Sequence, residues 1–328
     1  MIFLWTKKYI SNIIFFEMGH NMNMDLIIKN AINQCHSKHD LMSFQKMIYC
    51  FTTENISGYI DEFKLFNKSL LTVGSSGDQV LNAILRGCDD VTLFDINPYA
   101  IYYLYLKITA LLSLTKEEYC EFFWPSESRF AYNRKFLDSS NLPKVIESLK
   151  SVNYDAYLFW SILLEYVPKK LIKKNLFFSE KNDKRVIQTI NPYLHSESVY
   201  ELLRRRVENV NITFINGNVL GEHNLGNYDN IWLSNICCYL SLSEIKELVD
   251  KMSGHLNASG KLLISYLYDI MYETPDYDES ASIYNFKKTF ELLEEYNDGL
   301  EMISFAGVTG MQIRTMDKDG ALIYTRKK

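Results

Sequence analysis

Two short stretches of this 328-residue chain carry side chains whose types and spacing suit ligand chemistry. The first is Gly74-Ser75-Ser76-Gly77-Asp78, a turn of small residues directly after the apolar run Ser69-Leu70-Leu71-Thr72-Val73. Glycines at 74 and 77 let a backbone bend tightly and approach a ligand closely. Ser75 and Ser76 add small hydroxyls, and Asp78 opens the next helix. There its carboxylate either caps that helix or accepts a hydrogen bond from a ligand ammonium. The second stretch is Asp95-Ile96-Asn97-Pro98, which closes the apolar run Val91-Thr92-Leu93-Phe94. Asp95 stands about twenty positions beyond Gly74, the spacing at which a carboxylate on a second strand accepts from the two hydroxyls of a ribose.

These residues need a strand–turn–helix–strand unit to position them, and the surrounding pattern supplies one. Residues 69–73 read as a buried parallel strand. Gln79 to Arg86 follow a helical period through Val80, Leu81, Ile84 and Leu85, and Gly87 ends it. Val91–Phe94 is the second strand. Before the unit, Met24 to Phe66 reads as a helical lead-in, interrupted at Phe51-Thr52-Thr53-Glu54-Asn55. After it, an apolar helix spans Tyr99 to Leu114. Thr115 with Glu118 forms a capping box for a helix over Lys116 to Phe123. From 126 to 209 the pattern is helical or irregular. Strands return at Ile212–Ile215, Tyr228–Leu233 and Lys261–Tyr268, with a second capping box at Ser241 and Glu244 opening a helix over Leu242 to Leu256. An acidic loop, Asp269 to Ser282, leads to a helix over Ile283 to Tyr296. Two closing strands, Glu301–Gly307 and Gly320–Arg326, are separated by an Asp317-Lys318-Asp319-Gly320 turn.

Alternating strands and helices predict an α/β fold: a Rossmann-like doubly wound sheet with an antiparallel terminal strand. A helical insertion separates its second and third strands. The expected organisation is a helical lead-in over 1–66, a ligand-binding sheet domain over 67–98 and 211–328, and an inserted lobe over 99–210. Tyr132, Tyr157, Phe159 and Trp160 of that lobe either line an acceptor pocket or pack the lobe's own core. Lys169, Lys170, Lys173, Lys174 and Arg204, Arg205, Arg206 form either a solvated face or an anion site.

The Leu70–Gln79 stretch, together with Phe94-Asp95-Ile96-Asn97-Pro98, resembles the class I S-adenosylmethionine (AdoMet)-dependent methyltransferases. More narrowly, the Ser-Ser-Gly-Asp turn and Ser234-Asn235-Ile236 resemble the diacylglycerol 3-amino-3-carboxypropyl transferases of betaine-lipid synthesis. The resemblance covers the sheet domain. The commoner methyltransferase pattern has an acidic residue where Thr72 stands and a glycine where Ser76 stands. The resemblance implies AdoMet as cofactor, with S-adenosylhomocysteine or methylthioadenosine as product. It implies contacts from Gly74, Ser75, Ser76, Gly77, Asp78, Asp95, Ile96 and Asn97. It adds Asn218 and Val219 on the adenine, and Ser234 and Asn235 beside the sulfonium. Tyr239, Tyr266 and Asp269 are candidate bases near strand ends, with no choice among them. Asn191-Pro192-Tyr193 lies in the insertion, away from the strand where amino-group methylases carry a related motif.

Three readings follow: an AdoMet-dependent transferase (methyl or aminocarboxypropyl), a non-catalytic AdoMet- or nucleotide-binding module, and a nicotinamide oxidoreductase, which the closing hairpin disfavours. The net charge of -5 gives no electrostatic case for nucleic acid as partner, leaving a small-molecule or lipid-like acceptor. Six scattered cysteines without a C-x-x-C pair predict free thiols and a cytoplasmic location. Cys35, His36 and His39 lack a second ligand pair, so no metal is expected and a solvated helix surface is. The apolar run within Met1–Phe16 is too short to span a membrane and has no cleavage site after it, and Met18, Met22 and Met24 are alternative starts.

Overall fold

The computed structural model describes residues 23–37, 47–123, 135–177, 184–221, 223–234, 236–268, 299–309 and 312–326. The expectations for Met1–Phe16, Met18, Met22, His39, Tyr132, Asn235, the acidic loop and the 283–296 helix lie outside these residues.

One sheet of seven strands organises the chain: β1 Ser69–Val73, β2 Asp90–Asp95, β3 Asn211–Asn216, β4 Tyr228–Trp232, β5 Leu256–Tyr268, β6 Leu300–Thr309 and β7 Gln312–Thr325. Their order is β3-β2-β1-β4-β5-β7-β6. The first five pair in parallel, while β7 runs antiparallel to both β5 and β6. A nicotinamide-type sheet shares the start of this order and continues with a parallel sixth strand. Here a hairpin replaces that strand, as the sequence predicts.

The hairpin's reversal is not where the turn residues suggested. β6 ends at Thr309 and β7 begins at its partner Gln312, well before Asp317. β7 continues through Asp319 and Gly320, which pair with Tyr268 and Leu267 on one side and with Phe305 and Ser304 on the other, and its register against β6 shifts just before them, between Arg314 and Lys318. Two-sided pairing outweighs local turn preference.

β1 shows how the sheet is buried. Leu70 joins one apolar core and Leu71 the other, as period-2 alternation requires. The smaller core lies under α10 (Leu242–Gly254). In the larger core, side chains of β1, β2 and β4 run without a break into those of the helices on that face. These are α1 (Met24–His36), α2 (Asp78–Leu85), α3 (Ala100–Ser113), α4 (Lys116–Phe123), α5 (Leu142–Val152), α6 (Tyr154–Tyr166), α7 (Lys169–Asn175), α8 (Lys184–Ile190) and α9 (Glu197–Arg206). α3 is buried along nearly its whole length, so it is apolar all round rather than along one stripe. Both predicted capping boxes form, with reciprocal bonds between Thr115 and Glu118 and between Ser241 and Glu244.

Three expectations are corrected. α1 ends at His36, and described residues 47–66 hold no α-helix, only an isolated bridge from Ile48 to Phe177 and two short 3-10 turns, Ile56–Gly58 and Ile60–Glu62. Their apolar period comes from packing, with Tyr59 and Phe63 edge-on against Trp232 of β4. Cys35 faces the core rather than solvent, and burial pushes its thiol up to about 12. Phe159 and Trp160 take the second of their two expected places and pack the helical core: Phe159 stacks on Tyr102 at 4.6 Å, and Trp160 Nε1 donates to the Tyr102 carbonyl at 2.9 Å. Among the basic residues, Arg204 donates to the carbonyls of Leu111 and Leu114 at the end of α3, and Arg206 to that of Leu85 at the end of α2. They cap helix C-termini.

Candidate functional site

The strand order changes direction at β1: β2 and β3 lie to one side, β4 and β5 to the other. Such a switch point opens a crevice at the carboxyl ends of the strands, where α/β sheets bind ligands. The ends of β1, β2, β3 and β4 bring Gly74, Asp95, Asn218 and Ser234 to this edge.

The turn after β1 is held from both ends. The Gly74 N–H donates to Phe94 O and the Gly77 N–H to Gly74 O, each at 2.8 Å. Ser75 adopts φ +41° and Gly77 φ +80°. A β-carbon on Gly77 would stand 2.9 Å from Leu104 Cδ1, so position 77 requires glycine for both conformation and space. A β-carbon on Gly74 would stand 3.1 Å from Asp95 Oδ2. The bend and the carboxylate are therefore in direct apposition.

Asp95 closes the link. Its Oδ2 accepts the Ser75 N–H at 2.7 Å and its Oδ1 the Asn97 N–H at 2.8 Å. The carboxylate is half-buried, and burial pushes it up to about 6 against the opposing pull of those two N–H donors. Each oxygen keeps a second lone pair for a hydroxyl donor. Asn97 is buried and accepts the Tyr99 N–H at 2.9 Å, fixing the turn out of β2. Ile96, between them, is 45% exposed, an apolar surface directly beside the carboxylate.

Beyond β3, Asn216 is in register with Asp95 and donates to its main-chain oxygen at 2.8 Å. Asn218 is exposed, its Oδ1 accepting the Leu220 N–H at 3.1 Å, while Val219 is buried. Ser234, after β4, is buried at φ +53°. The side chains of Tyr239 and Tyr266, and all of Asp269, lie outside the described residues.

Ser76 and Asp78 do not face the edge. Asp78 is completely buried and its acceptors are taken by protein: Lys107 Nζ at 2.6 Å and Tyr193 Oη at 2.8 Å on Oδ1, the Thr52 N–H at 2.6 Å and Ser76 Oγ at 2.9 Å on Oδ2. Gly77, not Asp78, is the N-cap of α2, and no side chain caps that end. The structure thus gives Asp78 neither role expected of it. Asn191-Pro192-Tyr193 belongs to the same buried knot, since Asn82 Nδ2 donates to Asn191 Oδ1 at 3.1 Å.

Glu54 was not among the residues singled out in the sequence. It is 3% exposed and reaches the end of β4, where it accepts Ser234 Oγ at 2.5 Å and Gln79 Nε2 at 3.0 Å on one oxygen and Ser265 Oγ on the other. The one available signal was an acid within the break of an otherwise apolar period.

No protein-family model matches the chain, and no curated protein matches it as a relative. Solved structures with partial likeness include the N-methyltransferase NodS from Bradyrhizobium japonicum in complex with S-adenosyl-l-homocysteine. That match has 9% identity and a TM-score of 0.39, covering 92% of this chain and 99% of that one. Others are a putative O-methyltransferase from Klebsiella pneumoniae (7% identity, TM-score 0.38, 94% and 91% covered) and a TehB-like SAM-dependent methyltransferase from Corynebacterium glutamicum (10%, 0.36, 93% and 98%). Likeness at this level carries no functional weight, which falls on the site itself.

Proposed function

We propose that this protein is an AdoMet-dependent transferase, with methyl transfer as the leading reaction and 3-amino-3-carboxypropyl transfer as the second. The observation that carries the proposal is the apposition of the Gly74–Gly77 bend with the Asp95 carboxylate at the sheet's switch point, joined by the 2.7 Å Ser75–Asp95 bond. The site fits an adenosine moiety. Asp95 offers lone pairs to ribose hydroxyls, exposed Ile96 offers an apolar face to the base, and Gly74 has no β-carbon between bend and carboxylate. Asn97 positions this turn, and Asn218 and Val219 lie on the adjacent strand end.

AdoMet supplies an activated electrophile, its sulfonium, so the chain's task is to position an acceptor in line and exclude water. Ser75 and Gly77 hold the bend that approaches the cofactor, and Ser234 stands at the next strand end. A small-molecule or lipid-like acceptor is proposed. Among the described residues no helix is long and apolar enough to cross a membrane. Cys35, Cys50, Cys88, Cys120 and Cys237 are buried free thiols, which suits a reducing compartment. The Ser-Ser-Gly-Asp turn and the absence of an acid at Thr72 favour keeping the aminocarboxypropyl reaction in view.

Calorimetric titration tests the reading: the wild type binds AdoMet, and Asp95→Ala weakens it about ten- to a hundredfold, the worth of hydrogen bonds to a charged group. Absence of binding to folded wild type would reject it. Product analysis then separates the reactions, since methyl transfer leaves S-adenosylhomocysteine and aminocarboxypropyl transfer leaves methylthioadenosine. Intact cofactor with every acceptor offered would indicate a binding module.

A further inference from the structure

We infer that Glu54, with Gln79, forms an ammonium-recognising subsite at the end of β4, and that the group it takes is the α-ammonium of the cofactor's amino-acid tail. This rests on the AdoMet reading above.

The first observation is a charge without a counter-charge. Glu54 is buried; two serine hydroxyls and one amide donate to it, and the Tyr59 hydroxyl lies beside it. Among the described residues it has no cationic partner. The other buried acid near the bend, Asp78, has Lys107 at 2.6 Å. Neutral donors solvate a buried carboxylate but leave its sign uncompensated, an arrangement that costs stability until a cation arrives.

The second observation is independent. Gln79 is 1% exposed, and the same amide that donates to Glu54 has an Oε1 that is buried without a hydrogen-bond partner. A carboxylate and an adjacent orphan carbonyl are two acceptors in want of one donor. An ammonium carries three N–H donors and a positive charge, so it satisfies both.

Position selects which ammonium. Asp95 lies on β2, to one side of the bend, while Ser234 and Ser265 lie on β4 and β5, to the other. A ligand whose ribose meets Asp95 and whose tail crosses the bend reaches Glu54. β1 itself offers no acid for that tail: Thr72 is fully buried and its hydroxyl has no partner. Ser234 adds a further sign. Its φ of +53° is a left-handed conformation for a residue with a β-carbon, and its hydroxyl is bound by Glu54.

The test compares four ligands by calorimetry on wild type and Glu54→Gln: AdoMet, S-adenosylhomocysteine, its analogue with hydrogen in place of the α-amino group, and methylthioadenosine, which has no tail. The expected result is a loss of about ten- to a hundredfold for AdoMet and S-adenosylhomocysteine alike in Glu54→Gln, with methylthioadenosine unchanged. Unchanged methylthioadenosine affinity also shows that the variant is folded. On wild type alone, the deamino analogue binds more weakly than S-adenosylhomocysteine by a similar factor, which keeps the question answerable if the variant does not fold. Equal affinity of those two ligands on wild type, a loss confined to AdoMet, or no loss in Glu54→Gln overturns the subsite while leaving the AdoMet reading intact. Failure of wild type to bind any of the four rejects that reading instead.

Discussion

Asp78 and Asp95 lie on either side of one glycine bend, and the fold gives them opposite surroundings. Asp78 is completely buried, its oxygens taken up by Lys107, Tyr193, Thr52 and Ser76. Asp95 is half-buried and bonded to two backbone N–H groups, with no cation on it among the described residues. The first arrangement spends its carboxylate on tying N-terminal segment, bend, α3 and helical insertion together. The second leaves lone pairs at the crevice. Two acids that look equivalent along the chain therefore divide into one that builds the bend and one that the bend presents.

The largest effect expected from that division is on stability. Lys107→Met removes the cation that, among the described residues, pairs with the buried Asp78 carboxylate, and should destabilise the protein by about 3–5 kcal/mol. Denaturant unfolding measures it, and the double variant with Asp78→Asn should recover much of the loss. A cost below about 1 kcal/mol would mean that Asp78 is not held by this pair and would erase the contrast with Asp95. Asp95→Ala is the mirror case, weakening ligand binding about ten- to a hundredfold.

A smaller effect concerns pH. Burial raises the Asp95 carboxyl to about 6, above its unfolded value of roughly 4. The sign follows from which state holds the proton. Between these values the folded protein binds it more tightly, so this group's contribution to stability is present below pH ~4 and is lost as pH rises through about 6. Asp95→Asn should therefore gain on wild type as pH increases over that window and hold a constant advantage above it. Ligand binding runs the other way. Ribose hydroxyls donate to the ionised form, so AdoMet affinity should fall below pH ~6, by up to about tenfold per pH unit. Flat affinity from pH 5 to 8 would separate Asp95 from the ribose.

What was legible in the sequence follows the same line between local and distant partners. Strands β1 and β2, helix α4 and both capping boxes rest on neighbours a few residues apart, and the sequence placed them within a residue or two. The bend and Asp95 were legible because a strand–turn–helix–strand unit carries its own spacing. Glu54 was not, since its partners stand 25, 180 and 211 positions away and only the sheet brings them together. The setting of Asp78 is illegible for the same reason: Lys107 and Tyr193 lie on elements whose packing no local pattern reveals. The apolar period of Ile56–Phe63 reflects contact with Trp232 rather than helix, and Asp319-Gly320 is held extended by strands on both sides.

The smallest expected effect is the most discriminating one. Tyr193 belongs to the segment inserted between β2 and β3, and its hydroxyl donates to Asp78 Oδ1 at 2.8 Å while lying 3.4 Å from the Tyr119 hydroxyl. Tyr193→Phe removes one hydrogen bond to a charged group and leaves the ring's packing and Lys107 in place. The loss should be about 1–2 kcal/mol of unfolding free energy. Because the carboxylate keeps its cation, AdoMet affinity should stay within about twofold of wild type, under 0.5 kcal/mol. If unfolding is unchanged but affinity drops tenfold, the knot behind the bend is part of the ligand site, and the two aspartates act as one device rather than two.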